Sequence, residues 1–158
     1  MKFYDPCDYQ AKCDQLFAEY KPRIEKLLPH ATIEHIGASS VPNLISKGDL
    51  DIYIGVEAGL LEASVETLKK IGFEEKSGTL RTDELCMLES QRGDDVALQV
   101  VAQGSRYEFF LKFRDCLRAN PVLVDEYNIL KSSSMDLSHD EYRAKKSVFI
   151  QRVLDKGE

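Results

Sequence analysis

The run Leu50-Asp51-Ile52-Tyr53-Ile54-Gly55-Val56 constrains this chain most. It alternates in the strand period, which sets Leu50, Ile52, Ile54 and Val56 on one face of a sheet. A strand with so apolar a face needs neighbours and a covering layer. Thr32-Ile33-Glu34-His35-Ile36 is short, β-branched and halted by Gly37, so it reads as a strand entering a turn. Leu60 to Ile71 is amphipathic at helical spacing and stops at Gly72. Phe73 to Lys76, Leu85 to Leu88 and Val96 to Val101 read as further strands.

Helices flank this region on both sides. Asp5-Pro6 supplies a cap and a first helical position. The helix it opens runs toward Glu19, and an apolar stripe of Leu16, Phe17, Tyr20, Ile24, Leu27 and Leu28 continues beyond it. Pro22 is expected to kink or restart that helix, because it has no donor and crowds the preceding turn. Ser105 to Glu108 has the capping-box pattern, followed by Phe109, Phe110, Phe113, Cys116 and Leu117 on one helical face. Asn120-Pro121 opens a helix through Lys131, and Ser138 to Glu141 caps a last one with Tyr142, Phe149 and Val153 inward. The expectation is one α/β (α+β) domain over residues 1–158: an N-terminal helix, a mixed sheet and about three C-terminal helices.

Charge narrows the function classes. Residues 1–104 hold 11 Lys/Arg against 18 Asp/Glu, and residues 105–158 hold 10 against 9, so the net −6 sits in the front part. That argues against a duplex nucleic-acid surface, which needs clustered cations. Neither a signal-type apolar core nor a membrane-length apolar run is present, so a cytoplasmic protein that does not engage membranes is expected. Cys7, Cys13, Cys86 and Cys116 form no CxxC pair and read as free thiols, with Cys7 the candidate for a reactive one.

The chemistry concentrates in Ile36-Gly37-Ala38-Ser39-Ser40 and, after Lys47, Gly48-Asp49-Leu50-Asp51-Ile52. Asp49 and Asp51 lie two apart on a strand, so both carboxylates leave one face. Paired hard oxygen ligands suit a Mg²⁺ ion bridging nucleotide phosphates. Gly37 permits close approach of a phosphate, and the amides and hydroxyls of Ala38, Ser39 and Ser40 can surround its oxygens. Lys47, between loop and strand, is a candidate phosphate contact. The same residues read equally as a solvated strand edge and an ordinary turn. His35 either touches a phosphate or fixes the turn. Arg92, Arg114 and Arg118 are candidate anion contacts, against pairing of the helical arginines with nearby acids. The aromatics at 107, 109, 110 and 113 read as core in preference to base stacking.

The block IEHIGASSVPNLISKGDLDIYIGV resembles the signature of the GrpB family, as do GSRYEFFLKFRDCLRANP with EYNILK, and EYRAKKSVFI. Together they span about Ile33 to Ile150. The resemblance implies a nucleotidyltransferase-like fold, in which an hG[GS] turn precedes Asp-h-[Asp/Glu] on the next strand. It also implies Asp49 and Asp51 as catalytic and Mg²⁺-holding residues, with Gly37, Ala38, Ser39, Ser40 and Lys47 binding a nucleoside triphosphate or another phosphorylated small molecule. Two departures stand out. Ala38 replaces the second small Gly or Ser. At the position where active relatives of the superfamily place a third acid, the strand reads Ala97-Leu98-Gln99-Val100, and Gln99 has only a neutral carbonyl to offer. The expectation is a metal-dependent nucleotidyltransferase-like protein, with a catalytically weak or inactive nucleotide-binding module as the alternative.

Overall fold

The computed structural model describes residues 2–156. Five strands form one mixed sheet: β1 (Thr32–Ile36), β2 (Leu50–Val56), β3 (Phe73–Glu75), β4 (Leu85–Ser90) and β5 (Val96–Ala102), in the spatial order β1-β2-β5-β4-β3. Only the central pair β2–β5 is parallel; β1–β2, β5–β4 and β4–β3 are antiparallel. Helices α1 (Pro6–Leu27) and α2 (Leu61–Lys69) cover one face. Helices α3 (Phe109–Ala119), α4 (Pro121–Ser133) and α5 (His139–Lys156) follow the last strand.

The strand period sorts the core. Leu50, Ile52, Ile54 and Val56 pack with Tyr20 and Ile24 of α1 and with Leu61, Val65 and Leu68 of α2. On the opposite face Tyr53, Val101 and Leu85 join Ile36 and Tyr107. A third cluster ties Val41 and Leu44, from the β1–β2 connection, to Leu117, Val124, Tyr127, Phe149 and Val153. Since β2 is covered on both faces, its interior is buried throughout from Ile52 to Val56, as expected for a central parallel strand.

Pro22 does not interrupt α1, against the sequence expectation. It sits on the exposed face, and Ala18, whose carbonyl loses its usual donor, is exposed too, which leaves room for water in place of that donor. Tyr20 and Ile24 on the buried face hold the helix across that point. The Ser105 signal also resolves differently. Its Oγ accepts from the Tyr107 amide, while Glu108 accepts from Gly104 at 3.2 Å rather than from Ser105. A 3₁₀ turn over Arg106–Glu108 therefore precedes α3. At α5 the reciprocal box forms as read: the Glu141 amide donates to Ser138 Oγ and the Ser138 amide to Glu141 Oε1. Among the described residues, no helix is long and apolar enough to cross a membrane.

Candidate phosphate and metal site

The antiparallel register of β1 and β2 sets Ile36 opposite Asp51, which brings Gly37 against the Asp51 side chain. A Cβ on Gly37 would lie 2.3 Å from Asp51 Oδ2 and 2.9 Å from Asp51 Cβ. Gly37 also has φ +75°, a conformation that side chains rarely adopt. Two independent demands thus fix glycine here. The turn behind it is bound internally: the Ser40 Oγ and amide both donate to the Gly37 carbonyl, at 2.6 and 3.1 Å. Ser39 Oγ lies 2.7 Å from His35 Nε2, whose ring stacks on Phe17 with centroids 5.0 Å apart. Ser39 and Ser40 are buried and engaged with their own turn, while Gly37 and Ala38 line the adjoining cavity. His35 serves the turn as well. Burial pulls its imidazole down to about 4, with the charge of Arg118 and Arg114 assisting and Asp14 opposing.

The cavity, of about 580 Å³, is also lined by Asp49, Asp51 and Lys47. Asp51 lies on β2 and Asp49 just before it, outside the strand expected to carry both, yet both line this one cavity. Asp51 is raised above the usual carboxylate range, first by burial and then by the charge of Asp49; Lys146, Lys76 and a hydrogen bond with Gln99 oppose the rise. Besides Arg114, five cations line the same cavity: Lys47, Lys76, Lys131, Arg143 and Lys146. Lys131 is buried, donates to the Ile45 carbonyl at 2.9 Å and lies 4.5 Å from the Tyr127 ring centroid. Burial, and secondarily the charge of Lys146, lower it to about 7. Lys47 is lowered by the same two causes in the same order.

Sequence reasoning missed four of these cations, because they arrive from separate places: Lys76 follows β3, Lys131 lies on α4, and Arg143 and Lys146 lie on α5. A signal existed. Lys131 closes the EYNILK block and both α5 cations fall in EYRAKKSVFI, blocks that carry no acid–glycine pattern. The arginines singled out earlier are mainly structural. Arg114 bonds Glu34 at 2.9 Å, the His35 carbonyl at 3.0 Å and Asp115, although it also borders the cavity. Arg118 donates to the Ser40 carbonyl at 2.9 Å. Arg92 lies against Gly72, away from the cavity.

Three other acids do not join the pair. Tyr20 donates a hydrogen bond to Asp94, and Asp95 is exposed at φ +52°. Glu89 shares a row with Asp51 but is separated from it by Ala97 of β5. Among the described residues no three His, Cys, Asp or Glu side chains cluster as a metal site. The group that does face the site is Gln99, 9% exposed, whose Oε1 is buried without a hydrogen-bond partner. Two carboxylates and an orphaned amide oxygen are hard donors, and such a set fits Mg²⁺.

The family profile described as GrpB protein matches residues 7–156. The chain belongs to the GrpB family. A UPF0157 protein of Vibrio cholerae is 59% identical over 154 residues, covering 98% of this chain and 82% of that protein. The crystal structure of the conserved protein GrpB from Enterococcus faecalis matches with TM-score 0.79 and 25% identity, covering 99% of this chain and 96% of that one. The Cid1 poly(U) polymerase with MgGTP bound matches with TM-score 0.56 and 11% identity, over 79% of this chain and 42% of that one. The likeness to Cid1 is one of fold: this GrpB protein has a nucleotidyltransferase-like architecture.

Proposed function

We propose that this GrpB protein binds a nucleoside triphosphate together with Mg²⁺ in the Asp49/Asp51 cavity, as a metal-dependent nucleotidyltransferase-like protein. One observation carries the reading: Asp49, and Asp51 seated against Gly37, share their cavity with Lys47, Lys76, Lys131, Arg143 and Lys146. Acids alone would suit a bare cation, and lysines alone a bare anion. Their combination suits a polyphosphate that carries its own cation. Held by Asp49 and Asp51, with Gln99 as a neutral third donor, Mg²⁺ would supply charge neutralisation at the phosphoryl oxygens. The lysines and Arg143 bind and orient the non-bridging oxygens, and Gly37-Ala38 let the chain of phosphates lie close to the backbone.

Gln99 favours a second reading of the same cavity, a nucleotide-binding module with slow or no transfer. An amide cannot take a proton from an acceptor hydroxyl, so Gln99 leaves general-base chemistry without a group at that position. Melting temperature measured with a nucleoside triphosphate, with and without Mg²⁺, tests the binding both readings share; a native-state ligand raises it by mass action. In Asp51→Asn the affinity for the Mg²⁺ nucleotide should fall by about tenfold, ~1.4 kcal/mol. Unchanged affinity there would make the acid pair structural. Gln99→Glu should strengthen Mg²⁺ binding, and brisk transfer by the wild-type protein would rule out the second reading.

A further inference from the structure

We infer that the aromatic end of the cavity, with Phe110 as platform, holds the nucleobase by stacking and with little discrimination between bases. The inference rests on the proposed nucleotide reading and deepens it. Besides the carboxylates and lysines, Met87, Phe109 and Phe110 line the cavity, and these three pack against the cluster built on Tyr53 and Tyr107. Phe109 and Phe110 stack with centroids 4.4 Å apart and planes 25° apart, and both stay half-buried.

Phe113, on the same helix, is half-buried and lines the cavity as well, but its ring is taken up by other aromatics. It packs edge-on to both Tyr127 and Phe149, at 5.9 and 6.2 Å. Phe109 and Phe110 instead rest on the edge of the small cluster built on Tyr53 and Tyr107. Phe109 also borders a second groove, between α3 and α4, whereas Phe110 lines the first and not the second. Phe110 is therefore the ring that presents a face to whatever occupies it.

Two donors that line the cavity are already spent. Thr79 donates its hydroxyl to the Lys76 carbonyl at 2.7 Å, and the Arg114 guanidinium is held by Glu34, Asp115 and the His35 carbonyl. A ring face with few unspent donors beside it recognises a flat apolar surface and reads its edges poorly. Every nucleobase has such a face, so stacking tolerates all four. A polyphosphate anchored on the lysines would reach this wall with its nucleoside end.

Binding of Mg²⁺ with ATP, GTP, UTP and inorganic triphosphate, measured by calorimetry on the full chain, tests this. ATP and GTP should bind alike, and about tenfold more tightly than inorganic triphosphate, as one stacked base provides. Phe110→Ala should erase the difference between ATP and triphosphate, Phe110→Leu should erase most of it, and Phe110→Tyr should keep it. The tyrosine variant separates loss of the ring face from loss of folding. Equal affinity of ATP and triphosphate for the wild-type protein would overturn the stacking assignment while leaving the phosphate site intact. So would an ATP-to-GTP preference above about tenfold, which needs hydrogen-bond readout. If neither ATP nor triphosphate binds, the phosphate reading fails and this inference with it.

Discussion

Lys131 and Gly37 show how far single residues are bent to the site. Moving a lysine from its ordinary 10.5 to about 7 corresponds to roughly 5 kcal/mol of disfavour for its charged form. Losing the bond to the Ile45 carbonyl costs only about 1–3 kcal/mol. Lys131→Met should therefore raise the melting temperature of the ligand-free protein at neutral pH while weakening triphosphate binding. The sign of the pH dependence follows. Between about 7 and 10.5 the unfolded chain keeps the Lys131 proton and the folded one has lost it, so wild-type stability rises with pH across that window. Urea titrations should show the rise, and Lys131→Met should lack it. Gly37→Ala works in the opposite direction. It adds a positive-φ strain of about 1–3 kcal/mol to a methyl 2.3 Å from Asp51 Oδ2, so Asp51 must move. A lower urea midpoint together with lost Mg²⁺-nucleotide affinity is expected; retention of both would refute the close seating of Asp51. Of this site the sequence disclosed the glycine and the acid pair as candidates, because turn chemistry and the strand period are local. It concealed the lysines, because their meeting depends on how α4 and α5 pack.

At the scale of elements, His35 marks the joint where β1, α1, α3 and the 3₁₀ turn over Ala38–Ser40 meet. It stacks on Phe17 of α1, bonds Ser39 of the turn, and passes its carbonyl to Arg114 of α3. With a folded value near 4 against 6.5, the imidazole stays neutral in the native protein while the unfolded chain takes up a proton. Its contribution is intact above pH 6.5 and is lost progressively down to about pH 4, at most about 3 kcal/mol. Subtracting the stability curve of His35→Asn from that of the wild type should isolate this loss from carboxylate effects. A flat difference between pH 6.5 and 4 would mean His35 is solvated. Element boundaries were the legible part of the fold, since Pro6, Gly37, Gly72 and the Ser138–Glu141 box act over a single turn. The exceptions have separate causes. Pro22 was overruled by packing on the far side of its helix, and Glu108 found the Gly104 amide because a 3₁₀ turn tightens the start of α3.

For the whole molecule, the question is whether the C-terminal helices complete the fold or merely adjoin it. The sheet face that carries Asp51 also carries Tyr53, Leu85 and Val101, which pack around Tyr107 at the start of the last third. Val41 and Leu44, just after the phosphate turn, are buried largely by Leu117, Val124, Tyr127, Phe149 and Val153. Arg114 and Arg118 of α3 add polar ties to Glu34 and to the carbonyls of His35 and Ser40. Removing residues 105–158 would uncover five apolar side chains on that side: Val41, Leu44, Tyr53, Leu85 and Val101. At about 1.5–3 kcal/mol for each side chain fully exposed, the loss approaches the whole 5–15 kcal/mol that holds a typical domain together. A fragment of residues 1–104 should accordingly be insoluble or molten, with dispersed near-ultraviolet signal lost and an apolar dye bound. A cooperative, monomeric 1–104 fragment would refute the single unit. It would also change the reading of the site, because the acid pair would then stand on one folding unit and Lys131, Arg143 and Lys146 on another.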